Sequence, residues 1–159
     1  MTDKKQTKKP EEKPKVETDK KEHIARAKSP NAPISKKISR EIAAFIRNRT
    51  TTQALALLEK VLDKKIAVPY KRYNTDVGHK PGKIAAGRYP EKATKEFIKL
   101  IKLVEAHADN KGLDSKNLII FDVRANQGEG ILHYGRQRGI QMKRTNLEIG
   151  VKEKWLKEK

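Results

Sequence analysis

Two runs of strand-forming residues bracket a segment that neither can absorb. NLIIFDV occupies 117–123 and TNLEIGV occupies 145–151, and between them lies GEGILHYGRQRGIQMKR at 128–144. That segment is too long for a tight hairpin turn and too short for a domain. Besides Gly128 it holds three glycines, with four cationic residues and one acid. If the flanking runs pair antiparallel, the excursion continues the hairpin past the domain surface as an arm, spanning about 124–146. An isolated two-stranded ribbon is marginal in water. Something outside the core has to hold it, and the arm's charge makes that partner anionic.

Charge strengthens the point. Lys and Arg number 38 against 20 acids in 159 residues, a formal net charge of +18. Self-repulsion on that scale weakens a compact state unless a polyanion is present, and nucleic acid is the commonest one. With 35% apolar residues the core must be modest. No apolar run approaches the ~20 residues of a membrane span, and no apolar stretch near the N-terminus resembles a secretory signal. The absence of cysteine removes disulfides and thiolate metal sites. These absences make the cell interior the expected location.

Residues 1–23 are nearly all Lys, Glu, Asp, Thr and Pro, with eight lysines and six acids. Such a segment cannot bury enough surface to offset its ordering entropy and reads as a disordered extension. Residues 24–154 read as one domain and 155–159 as a tail. Ile24–Lys28 reads as a short edge strand, followed by SPNAP as a loop. Ser35 fits the N-cap of a helix carrying Ile38, Ile42, Phe45 and Ile46. Thr51 or Thr52 fits the cap of a second, with Leu55, Leu58 and Leu62 on one face and Leu57 and Val61 beside them. Residues 64–92 hold eight cations, two acids, three glycines and three prolines and read as a long basic loop. Pro90 fits the first turn of a third helix. Its stripe is Ala93, Phe97, Leu100, Ile101, Val104 and Ala108, and Gly112 fits its stop. Leu147, Ile149 and Val151 alternate with polar or small residues as a strand should. The sum is an α+β domain: a small antiparallel sheet packed against three helices, with a long basic β-hairpin arm.

No catalytic constellation stands out. His23, His79, His107 and His133 are scattered, and HADN at 107–110 is not a metal-binding HExxH. Asp109 and Asp114 flank a glycine turn and read as turn and cap residues. GEG at 128–130 lacks the rest of a phosphate-loop fingerprint. The chain reads as no enzyme, with no cofactor and no metal. The basic loop differs: Arg72, Lys80, Lys83 and Arg88 are interleaved with Tyr70, Tyr73, His79 and Tyr89. Cations neutralise phosphates and flat rings stack on unpaired bases. The plain alternative is a solvated loop whose tyrosines pack on the core. On the arm are Arg136, Arg138, Lys143 and Arg144, of which the arginines can grip phosphate with two donors, and Gly135 and Gly139 allow close backbone approach. Ile131 and Leu132 are apolar where a purely solvated loop would not favour them.

Several of these stretches resemble one family. RYNTDVGHKPG, AAGRYPEKATKEFIKLI, NKGLDSKNLII, RANQG and KRTNLEIGVKEK are similar to the large-subunit ribosomal protein L-twenty-two family, in its archaeal and eukaryotic branch, where the eukaryotic member is called L-seventeen. ISKKISREIAAFIRNRTTTQALALLEKVL resembles the family's first two helices more loosely. The resemblance covers about 24–154. It implies a component of the large ribosomal subunit in the cytoplasm, bound to ribosomal RNA and neighbouring ribosomal proteins and supporting assembly. It also implies an arm reaching the nascent-peptide exit tunnel. The residue reading and the resemblance together place RNA contacts on Lys36, Lys37, Arg72, Tyr73, Asn74, His79, Lys80, Lys83, Arg88, Tyr89, Arg124, Asn126, Arg136, Arg138, Lys143 and Arg144. The tip facing the tunnel, and a nascent peptide there, would be Ile131, Leu132, His133, Tyr134 and Gly135. No homo-oligomer and no membrane span are expected. The competing reading is a dimeric helix-turn-helix DNA-binding protein using helices 35–48 and 52–63. A third is a polybasic membrane-surface adaptor using 92–108.

Overall fold

The computed structural model describes residues 23–153. The expected disordered extension, except for its last residue, and the tail at 155–159 lie outside the described residues. Three strands form the main antiparallel sheet: β1 (Ile24–Ala32), β4 (Leu118–Gln127) and β7 (Thr145–Glu153), with β7 in the centre. Three helices, α1 (Lys36–Ile46), α2 (Thr51–Leu62) and α3 (Glu91–Asn110), cover one face. Two ribbons of two residues a side complete the fold, β2 (Val68–Pro69) with β3 (Gly87–Arg88), and β5 (Ile131–Leu132) with β6 (Gln141–Met142).

Alternation decides which sheet face is covered. Ala25 and Ala27 on β1, Leu147, Ile149 and Val151 on β7, and Leu118, Ile120, Val123 and Ala125 on β4 are buried beneath the helices. The small alanines of β1 let α3 lie close. The expected stripe of α3 is buried from Ala93 through Ala108, so the apolar face that a membrane adaptor would need belongs to the core. The opposite sheet face is open and charged, with Lys28 to Glu148 at 3.0 Å and Arg124 to Asp122 at 2.8 Å. Gly150 lies under the Phe121 ring there; a Cβ would come within 3.0 Å of it.

The helix ends follow local chemistry. Gly112 takes φ +74° and donates to Asp109 O, while Leu113 donates to Ala108 O. This reciprocal closure needs the left-handed conformation that glycine adopts freely. The cap of α2 is Thr50, one residue before the expected Thr51 or Thr52; its hydroxyl accepts from Gln53 N at 3.3 Å. Thr51 instead turns inward and is buried with Ala54, Leu58 and Val61. Leu55 packs partly buried against that core. Ser35 holds the N-cap position of α1 without a side-chain cap bond.

Two corrections concern strands and their edges. SPNAP is not a loop: β1 runs through Ser29–Ala32, with an irregularity at Asn31, whose φ is +50°. Proline is tolerated because β1 is an edge strand, where its missing N–H removes no ladder bond. The turn between α1 and α2 is also not free for a helix-turn-helix dock. Asn48 N donates to Ile120 O at 2.8 Å, Ile120 N donates to Arg49 O at 2.9 Å, and Thr50 bridges Ile119. This turn closes the outer edge of β4.

A buried acid fixes the basic loop. Glu41 points from α1 into the core side at 4% exposure. Its carboxylate accepts three backbone N–H bonds, from Lys71 at 3.1 Å, Arg72 at 3.0 Å and Tyr73 at 2.9 Å. A buried charge persists only when satisfied in this way. Tyr70 precedes that clamp, buried, with its hydroxyl lacking a hydrogen-bond partner. Burial raises its pKa, the neighbouring Arg88 lowers it and Glu41 raises it further, leaving it above the usual phenol range.

Replacing Glu41 with Ala should cost about 2–4 kcal/mol of stability and speed amide exchange at Lys71–Tyr73 ahead of global unfolding. Unchanged exchange there would contradict the clamp. The raised Tyr70 pKa means that the unfolded chain loses this proton first as pH rises. Its contribution is complete below about pH 10 and is lost progressively above that. Tyr70→Phe, which deletes an unsatisfied hydroxyl, should melt at or slightly above wild type near neutral pH. It should also lose less stability at alkaline pH, measured by thermal melts across pH.

Candidate nucleic-acid interface

The root of the arm is braced from three sides. The ladder of β4 with β7 runs to Gln127 opposite Thr145, and Gly128 N donates to Arg144 O at 3.0 Å. The irregularity in β1 has a use here: Asn31 Oδ1 accepts from Glu129 N at 3.0 Å, and Asn31 N donates to Asn146 Oδ1 at 2.8 Å. A Cβ on Gly128 would lie 2.6 Å from Asn31 Oδ1, so glycine is needed for this close approach. From α1, Lys36 Nζ donates to Gln127 Oε1 at 2.8 Å. The buried Thr145 hydroxyl donates to Ile34 O at 2.8 Å.

The projecting part is shorter than expected for a long arm. Residues 124–127 and 145–146 belong to the main sheet. Beyond them the ribbon has two residue pairs, Ile131 with Met142 and Leu132 with Gln141. A 3₁₀ turn over Gly135–Gln137 closes it, with Gly135 at φ +70°. Its side chains stand in the open: Ile131 is 48% exposed, Leu132 60%, Tyr134 79% and Ile140 56%. The His133 and Tyr134 rings stack with centroids 4.8 Å apart.

Three grooves run between the arm root, α1 and the basic loop. The first, about 350 Å³, is lined by Lys36, Lys37, Lys143 and Arg144 together with Gly128 and Gly130. The second, about 330 Å³, shares Lys37 and Lys143 with it and adds Arg72, Tyr73 and Arg88. The third, about 380 Å³, shares Arg72 with the second and adds Arg40, Arg47, Lys71, Arg124 and Asn126. Segments far apart in sequence thus meet on one cationic face. Among the described residues, Arg124 is the only one of these cations in an ion pair. The half-buried Arg144 also keeps a buried Nε–H with no acceptor in the protein. Uncompensated charge and an unmet donor are costs in the free protein that a polyanion relieves.

The tyrosines act as props for cations. Lys37 and Arg72 both sit 5.8 Å from the Tyr73 ring centre, and Arg40 donates to its hydroxyl at 3.3 Å. Arg88 lies 5.8 Å from the Tyr70 ring and Lys80 5.5 Å from that of Tyr89. Each such contact is worth about 0.5–1 kcal/mol and holds a guanidinium or ammonium at a set height over the surface. For Tyr70 the plainer alternative is correct: it packs on the core. Tyr134 stands 79% exposed, with its ring stacked on that of His133.

The structure does not gather every expected residue. Asn74, His79, Lys80 and Lys83 lie further out on the loop, where His79 bridges Ala86. Arg136 and Arg138 are at the arm's end. Sequence reading missed Arg40, Arg47 and Lys71 on the cationic face, and Glu41 and Asn31 behind it. The signal for Glu41 was an acid beside Ile42 on the apolar face of α1. Among the described residues no cluster of His, Asp or Glu is suited to a metal, and no helix is long and apolar enough to cross a membrane.

Comparison with known proteins agrees with this architecture. Residues 27–150 match the family model described as Ribosomal protein L22p/L17e. The large ribosomal subunit protein uL22 of Methanoculleus marisnigri is 45% identical over 139 residues, covering 83% of this chain and 91% of that protein. The uL22 proteins of Ignicoccus hospitalis and Nanoarchaeum equitans are 41% and 43% identical, covering 83% of this chain in each case and 89% and 80% of those proteins. The chain belongs to the L22p/L17e family of ribosomal proteins, in agreement with the resemblance read from its motifs.

Proposed function

We propose that this member of the L22p/L17e family is a structural, non-catalytic component of the large ribosomal subunit that binds and braces ribosomal RNA through its cationic face. The observation that carries the reading is the run of grooves in which α1, the loop clamped by Glu41 and the arm root present cations of which, among the described residues, Arg124 alone has an acidic partner. The mechanism is counter-charge and shape. Each phosphate neutralised releases condensed counterions, and contact with roughly 8 phosphates gives a log–log salt slope of about −6 to −7. Assembly benefits because segments of RNA held on this one face are fixed relative to each other.

The arm extends this reading. Its end carries apolar side chains too exposed to serve the fold, beside Arg136 and Arg138. We place RNA along its cationic sides and the wall of the nascent-peptide exit tunnel at its tip, where Ile131, Leu132, His133, Tyr134 and Gly135 would meet the growing chain. Neighbouring ribosomal proteins are further expected partners.

The double variant Arg136→Ala, Arg138→Ala tests the arm. Both side chains are exposed and outside the core, so the melting temperature should stay within a degree or two of wild type. Incorporation into large subunits should fall, and the salt slope for RNA binding should flatten by about 1.5. Wild-type incorporation and slope would refute an RNA-binding arm; a large loss of helix by circular dichroism would refute its independence from the core.

A further inference from the structure

A fourth groove differs in character from the three cationic ones. It is about 290 Å³ and its walls are almost wholly apolar: Pro33, Ile34 and Ile38 on one side, Pro90 and Ala93 on the other, with Lys92 and Lys143 at the rim. It opens where the start of α1, the start of α3 and the return strand of the arm come together. Ser35, Ile38 and Lys143 line both it and the groove of Arg72, Tyr73 and Arg88. The apolar slot is therefore a side pocket of the cationic face. Its one acid, Glu91, is turned to Lys64 at 3.3 Å, so its rim is left net positive.

We propose that this slot takes an unpaired nucleobase of RNA whose backbone lies in the adjoining cationic groove. The inference rests on the RNA-binding reading above. A base is the flat, largely apolar part of a polyanion, and it arrives with a phosphate on either side. A slot with apolar walls and lysines at its rim matches that combination. An apolar protein side chain would satisfy the walls and leave Lys92 and Lys143 without counter-charges. The volume is at or below the ~300–1,000 Å³ range of pockets for whole small ligands, which suits one base. With few polar groups in the walls, recognition would be by shape and stacking rather than by base identity, as in sequence-tolerant single-strand binding.

The test compares the full chain with Pro33→Met, which puts a longer, uncharged side chain on an exposed wall of the slot that the cationic groove does not share. The probes are a 12-nucleotide oligoadenylate and an abasic ribose-phosphate strand of equal length and charge. Wild type should bind the oligoadenylate more tightly, and the variant should lose about tenfold of that preference. Affinity for the abasic strand and its salt slope should be unchanged. A variant that keeps the wild-type preference overturns the slot while leaving the RNA-binding reading intact. Failure of wild type to bind either strand with salt-dependent affinity overturns that reading and the slot with it. Should the variant not fold, 4-thiouridine placed along the oligonucleotide decides the matter in wild type. Zero-length cross-links within 33–38 or 90–93 support the slot, and cross-links confined to other peptides overturn it.

Discussion

Glu41 is an acid in a chain with a large excess of bases, and it is spent on backbone rather than on a cation. Its carboxylate takes the N–H groups of Lys71, Arg72 and Tyr73 at 2.9–3.1 Å. That choice leaves the side chains of Lys71 and Arg72 free to face outward while fixing where they start. An ion pair would have neutralised one of them. Because Glu41 is carried by α1, the loop is registered against Lys36, Lys37 and Arg40 of the same helix, and through Lys36 and Gln127 against the arm root. The cationic face is a set of segments with no direct sequence connection, and the carboxylate clamp holds the longest of them in place.

The fold divides its labour by face. One side of the sheet supplies a modest core with three helices, enough to hold the scaffold. Acids pair with cations largely away from the cationic grooves, at Lys28–Glu148, Lys64–Glu91 and Lys99–Glu96. Such surface pairs are worth little individually, but their placement concentrates unpaired positive charge on the arm side. The tyrosines of the loop then support cations in positions where side-chain freedom would otherwise be lost only on binding.

Much of this was legible because the signals were periodic or punctual. The stripe on α3 repeats at helical spacing for about four turns, Gly112 stops it, and Leu147, Ile149 and Val151 alternate; all kept their expected roles. What escaped the sequence was non-local. Ser29–Ala32 reads as a loop by composition, yet it is edge strand, because Pro30 costs nothing there and Asn31 is turned to brace Glu129 and Asn146. Glu41 finds its partners thirty residues on. Arg40 and Arg47 carry no periodic or motif signal of their own, and they line a groove only because β4 and the basic loop pack beside α1. The arm was legible as an excursion but not in length, since its first residues are main-sheet strand and only two further pairs form.

Under the proposed function the cationic face holds the protein on the large subunit through many phosphate contacts. Co-sedimentation of the tagged full chain from a native lysate, on sucrose gradients at low and at high salt, tests it most directly. The protein is expected to travel with the large subunit and to stay there after the salt wash, because its contacts are many and simultaneous. Recovery as free protein, or in DNA-associated material released by nuclease and salt, would contradict it.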